Sequence, residues 1–128
     1  MFYPALAYED EAAFVDYLLA DQPEPPTYFQ VMKRVNKAGP ALVSDLPTLT
    51  ELPDAALMGR LGEGEQVLDT RPSAQFAEAH LPGSLNLPHA MLAGWAGWLV
   101  DYSRPLFVIA DEPNVAAVLA DLRSIGVD

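Results

Sequence analysis

The spacing of apolar positions changes near residue 40. Before that point it is helical: Glu9 and Asp10 lead into Ala12, Ala13, Phe14, Val15, Leu18 and Leu19, an apolar stripe with acids at the end where a helix is partially positive. This predicts a helix of about three turns. Pro23, Pro25 and Pro26 then remove backbone donors and push their predecessors into extended geometry, so 21–26 is predicted as a stiff connector. Thr27 is the expected N-cap of a second helix, from Tyr28 to about Lys37, which Gly39 and Pro40 stop.

Beyond residue 40, short apolar runs alternate with short helical patterns, the βα rhythm of a mainly parallel sheet. Strands are predicted near 48–50, 66–69, 84–87 and 106–110, and helices over 54–61, 74–79, 90–100 and 115–125. Pro53 or Asp54 opens the first of these helices and Gly62 closes it; Ser73 is the expected cap of the second, and Gly126 follows the last. Trp95 and Trp98, beside Met91 and Leu99, read as core positions rather than as a platform for stacking a ligand.

Charge narrows the choice of partners. With 18 acidic and 7 basic side chains, the formal net charge is −11, which repels phosphate backbones and anionic lipid. Lys33, Arg34 and Lys37 are too few for a binding stripe and read as a solvated helix face. No apolar run nears the roughly 18 residues of a membrane span, and no basic leader is evident, so neither nucleic acid nor membrane is expected as a partner and the location is expected to be cytoplasmic. The chain has no cysteine, which excludes disulfides, thiolate–metal sites and a thiolate nucleophile of its own. His80 and His89 lack the spacing of a metal pair and are expected to be structural, so no metal or other cofactor is expected.

The run from Val67 to Pro88 carries a family pattern. Asp69-Thr70-Arg71 closes a predicted strand, Phe76 and Glu78 lie on the short helix, and His80-Leu81-Pro82-Gly83-Ser84 precedes Leu85-Asn86-Leu87-Pro88. This resembles the first half of a rhodanese domain. Read physically, Asp69 and Arg71 can pair locally at the strand end, and Gly83 permits the turn between helix and strand. The resemblance implies an α/β fold, a parallel sheet flanked by helices. It also implies a nucleophilic cysteine after the strand at 106–110, within a loop whose backbone N–H groups cradle an anion. Asp111 stands at that position, followed by Glu112, Pro113 and Asn114, and the loop is shorter than the active family's.

A second resemblance covers residues 11–40, where Phe14-Val15, Leu18-Leu19, Gln22-Pro23-Glu24-Pro25-Pro26, Tyr28-Phe29, Met32-Lys33, Asn36 and Gly39-Pro40 are similar to the end of a metallo-β-lactamase-fold domain. The similarity is to bacterial proteins that join that domain to rhodanese repeats, relatives of persulfide dioxygenases. The expected organisation is therefore a helical remnant over 1–40 and a rhodanese-like domain over 41–128. The metal-binding motif of those relatives would lie upstream of Met1, so none of its ligands is carried over.

These readings imply a catalytically inactive module with a structural or partner-binding role in a sulfur-metabolism fusion protein, its partners being other proteins or the parent domains. The alternative class is an enzyme: an anion-site hydrolase or phosphoryl-transfer activity using Asp111, with Asp69 as a second carboxylate, or a sulfurtransferase completed by a cysteine from another chain. The resemblance also implies a further strand after the last helix, which the sequence does not reach. Either the strands at 48–50 and 106–110 pair directly, or an oligomer fills the slot. The two N-terminal helices are expected to hide Phe14, Leu18, Tyr28 and Phe29 on the sheet or on a second subunit.

Overall fold

The computed structural model describes residues 4–128. Three parallel strands, β1 (Gln66–Asp69), β2 (Leu85–Asn86) and β3 (Leu106–Ile109), form a sheet in the order β2-β1-β3. Leu68 lies opposite Leu85 on one side and Val108 on the other. The runs Val67-Leu68 and Leu106-Phe107-Val108-Ile109 are continuously apolar because a parallel sheet with helices on its faces buries both sides.

One face carries α5 (His89–Leu99) and α6 (Val115–Ser124). Leu92, Ala96 and Val100 recur every fourth residue and meet Val118, Leu122 and Ile125 over Leu68 and Leu87, with Leu106 and Val108 packed against this core. Phe107, of opposite parity, points to the other face, where the Arg60 guanidinium of α3 (Asp54–Gly62) lies 5.7 Å from its ring centroid. The short helix α4 (Ser73–Glu78) links β1 to the turn before β2.

Before β1 lie α1 (Glu11–Leu19) and α2 (Tyr28–Ala38). The Asp10 carboxylate caps α1 by accepting from the Ala13 N–H at 2.9 Å, and Tyr8 stacks on Tyr17 with centroids 4.8 Å apart. Helix α2 docks on α5 rather than on the sheet: Tyr28 packs against the core over Gly97, where any Cβ would overlap the Tyr28 ring. A glycine inside a helix costs about 1 kcal/mol relative to alanine, and here the missing Cβ makes room for another helix.

Several expectations are corrected. No strand forms at 48–50, so the direct pairing of that segment with β3 is not made. The segment is three residues between Pro47 and Pro53 with Leu49 55% exposed, and so short a run has no buried face to offset its ordering entropy. Trp95 and Trp98 are not core: they are 54% and 48% exposed, because the inward stripe of α5 runs through Leu92, Ala96 and Val100 and leaves Met91, Trp95, Trp98 and Leu99 outside it. Thr27 does not cap α2; its hydroxyl donates to the Gly97 carbonyl at 2.7 Å. Ser73 is the first helical residue rather than a cap, and its hydroxyl bonds Asn86. Leu18 and Phe29 remain exposed, so the N-terminal helices hide Tyr28 but not all four aromatic and aliphatic residues.

Candidate functional site

The C-terminal ends of the three parallel strands converge at the edge where open α/β sheets place their sites. β1 ends in Asp69, followed by Thr70, both buried. Oδ1 of Asp69 accepts from the backbone N–H and the Nε of Arg71, both at 3.0 Å, and Oδ2 accepts from Nη2 at 2.6 Å. Arg71 Nη2 also donates to the Ala79 carbonyl, tying the end of α4 to the pair. The guanidinium is held above its ordinary range, first by its hydrogen bond to Asp69; burial opposes this, and the charges of Asp69 and Asp111 add to it.

Around this pair the backbone is extensively hydrogen-bonded. The Asn86 amide donates to the carbonyls of Asp69 and Arg71 at 3.0 Å each, and Thr70 donates to the Ile109 carbonyl through both N–H and hydroxyl at 2.8 Å. The Leu87 and His89 N–H groups donate to the carbonyls of Asp69 and Thr70. The segment from Asp69 to Arg71 thus ties the ends of all three strands, β3 through Thr70, and both carboxylate oxygens of Asp69 are committed to one guanidinium.

Asp111 follows β3 in extended conformation and leads into one 3₁₀ turn, Glu112–Asn114, that runs directly into α6. The Asn114 N–H donates back to the Asp111 carbonyl at 2.8 Å. Pro113 has no N–H to offer, and Glu112, Pro113 and Asn114 are exposed. The turn is therefore closed on itself instead of splaying several donors around a common centre. It carries two carboxylates, and the cation in its field is Arg71, already paired with Asp69.

His80 stacks on Phe76 at 4.1 Å between centroids, with Nδ1 2.8 Å from the Phe76 carbonyl. Gly83 has φ +94°, a conformation that favours glycine, in the turn where the Ser84 N–H meets the Leu81 carbonyl. His89 reaches Asp121 of α6 at 3.0 Å. The structure brings Asp69, Arg71 and Asp111 to one edge, and leaves His80 and Gly83 in the connection from α4 to β2. No group of three or more histidine, cysteine, aspartate or glutamate residues suited to a metal ion occurs among the described residues.

Sequence reasoning missed a groove of about 600 Å³ between α2 and the segment after α5, lined by Arg34, Trp98 and Tyr102 among others. Tyr102 donates to the Ile125 carbonyl at 2.8 Å, and burial, with Tyr28 nearby, pushes its phenol up to about 12. Residues from α2 and from the 98–103 stretch lie too far apart in sequence for a local pattern to join them. No helix among the described residues is long and apolar enough to cross a membrane.

The family model described as "Rhodanese-like domain" matches residues 54–126. A 2.1 Å crystal structure of a metallo-beta-lactamase from Staphylococcus aureus superposes with a TM-score of 0.71 at 26% identity, over 95% of this chain and 34% of that one. The chain thus spans about a third of the length of that neighbour, and the likeness takes in residues before 54 that the family model does not. No curated protein matches.

Proposed function

Because this chain belongs to the rhodanese-like domain family, we propose that it is a catalytically inactive rhodanese-like module with a structural or partner-binding role in a sulfur-metabolism fusion protein. One observation carries the reading: β3 ends at Asp111, where the family resemblance expects the nucleophilic cysteine, in a chain that contains no cysteine. Sulfur transfer in this fold needs a thiolate that becomes a persulfide, and a carboxylate cannot hold sulfane sulfur. The closed turn at Glu112–Asn114 supports the same reading, since it offers no ring of convergent N–H donors for an anion.

The likeness to a metallo-beta-lactamase supports a metal-domain fusion, in which residues 1–40 belong to that domain and 41–128 to the rhodanese-like one. In such a protein, placed in the cytoplasm, the module spaces the metal domain from a catalytic repeat or recognises a sulfur-carrying partner. The hydrolase reading is disfavoured because Asp69, the second carboxylate it needs, has both oxygens on Arg71.

The test is a sulfurtransferase assay on the full chain, with thiosulfate or a low-molecular-weight persulfide as donor and cyanide or a thiol as acceptor. No turnover above the uncatalysed rate is expected. Asp111→Cys is expected to accept sulfane sulfur at the new thiol but to turn over poorly, because the surrounding turn stays closed. Turnover by the unaltered chain would overturn the proposal.

A further inference from the structure

The groove between α2 and the segment after α5 has walls of unlike character. Val31, Trp98 and Leu99 give it an apolar lining, the last two each about half exposed. Its polar lining comes largely from α2, where Gln30 and Arg34 stand four residues apart and so share a helix face. Of the three cations on α2, Lys33, Arg34 and Lys37, Arg34 is the one that lines the groove. Arg60, Arg71 and Arg104 each pair with a carboxylate of the fold, whereas the Arg34 and Gln30 side chains bond nothing among the described residues. Asp101 also lines the groove, but its carboxylate is already engaged. Oδ1 accepts from the Ser103 N–H and hydroxyl at 2.9 and 2.6 Å, and Oδ2 accepts from Arg104 Nε at 2.9 Å. The groove therefore offers the N–H donors of a guanidinium and an amide beside a half-exposed indole.

We infer that this groove binds a small organic anion with a flat apolar body. The indole of Trp98 stacks on the body, and Arg34, with Gln30, bonds the anionic group. The volume, about 600 Å³, falls within the roughly 300–1,000 Å³ typical of small-molecule sites. The planar fork of a guanidinium matches the oxygens of a carboxylate, and the indole adds contact area that a hydrated inorganic ion would not use. A net charge of −11 opposes anions at a distance. At physiological salt, screening over about 8 Å leaves the nearest charges to decide, and Arg104 offsets Asp101 there.

This inference goes beyond the reading of the chain as an inactive module, and its readout is binding rather than sulfur transfer, so either can fail without the other. The experiment titrates the full chain with naphthalene-2-carboxylate, and with naphthalene-2-carboxamide as the uncharged probe. Nuclear magnetic resonance follows the indole N–H of Trp98 and the Nε–H of Arg34. Saturable shifts of both signals are expected with the carboxylate, with binding of the carboxamide about tenfold weaker. Arg34 is exposed, so Arg34→Gln is expected to fold as the unaltered chain does, checked by circular dichroism. It is expected to weaken carboxylate binding by about tenfold and to leave carboxamide binding unchanged. Lys37→Gln removes an equal charge from α2 at a position that does not line the groove, and is expected to change binding far less. The inference would be overturned by the absence of saturable shifts at Trp98 and Arg34, by equal affinity for the two probes, or by equal losses in the two variants.

Discussion

The two parts of this chain are held by different means. From Val67 onward, nine apolar side chains are buried, along with Asp69 and Thr70, and the strand ends are tied together by the segment from Asp69 to Arg71. Before Val67, none of the described residues is buried. Helices α1, α2 and α3 contain no buried residue, and α2 and α3 take their places from contacts with the later body. For α2 these are Tyr28 over Gly97, the Thr27 hydroxyl on the Gly97 carbonyl, and Val31 with Met32 beside Gly126. The contrast shows which part can open without the other. A segment held by a few partly exposed contacts opens at low free energy, whereas the body opens only with global unfolding.

Changes in the body should be the most costly. Leu92 is fully buried between α5, α6 and the sheet, so Leu92→Ala is expected to remove about 4 kcal/mol, read as a lower denaturant midpoint with an unchanged slope. Asp69→Ala leaves the Arg71 guanidinium half-buried without its partner and frees the N–H of Arg71. It should cost about 3 kcal/mol and loosen all three strand ends together, seen as lost amide protection at Thr70, Leu87 and His89.

A smaller and more local effect is expected where the two parts meet. Gly97→Ala improves helix propensity in α5 but drives a methyl group into the Tyr28 ring. The expected outcome is loss of amide protection across α2 with protection in β1 and β3 retained. Loss spread evenly through the chain would show that the two parts unfold as one.

The smallest effect is a pH dependence at the same junction. The unfolded chain releases the Tyr102 proton near pH 10, whereas burial holds it to about pH 12 in the folded state. Between these values the unfolded state binds fewer protons, so the stabilisation present below pH 10 is lost as pH rises through that window. Stability measured from pH 9 to 12 should fall more steeply for the unaltered chain than for Tyr102→Phe. Equal slopes would mean that the phenol is open to water and that the junction near α2 is looser than described.

Much of the body could be read from the sequence because its signals are local. The strands at 66–69 and 106–109 declare themselves as apolar runs, and Asp69-Thr70-Arg71 with His80 to Pro88 carries the family pattern. Gly83 and Gly126 both have positive φ where a turn was expected. Asp111 could be singled out because its place after β3 follows from order along the chain. The strand expected at 48–50 does not form, because so short a run between Pro47 and Pro53, with Leu49 exposed, presents no buried face to the sheet.

What the sequence by itself determined is the alternation of elements, the family pattern around Asp69, and the absence of a thiol at Asp111. These rest on residue identity and short-range spacing, which need no knowledge of the rest of the fold. Tertiary structure alone decided which face of α5 turns inward, leaving Trp95 and Trp98 outside while small Ala96 and Gly97 meet their neighbours. It also decided that Thr27 serves a helix contact instead of a cap. Hydrophobic periodicity says that a residue prefers burial; only the geometry of packing says whether another surface arrives to bury it.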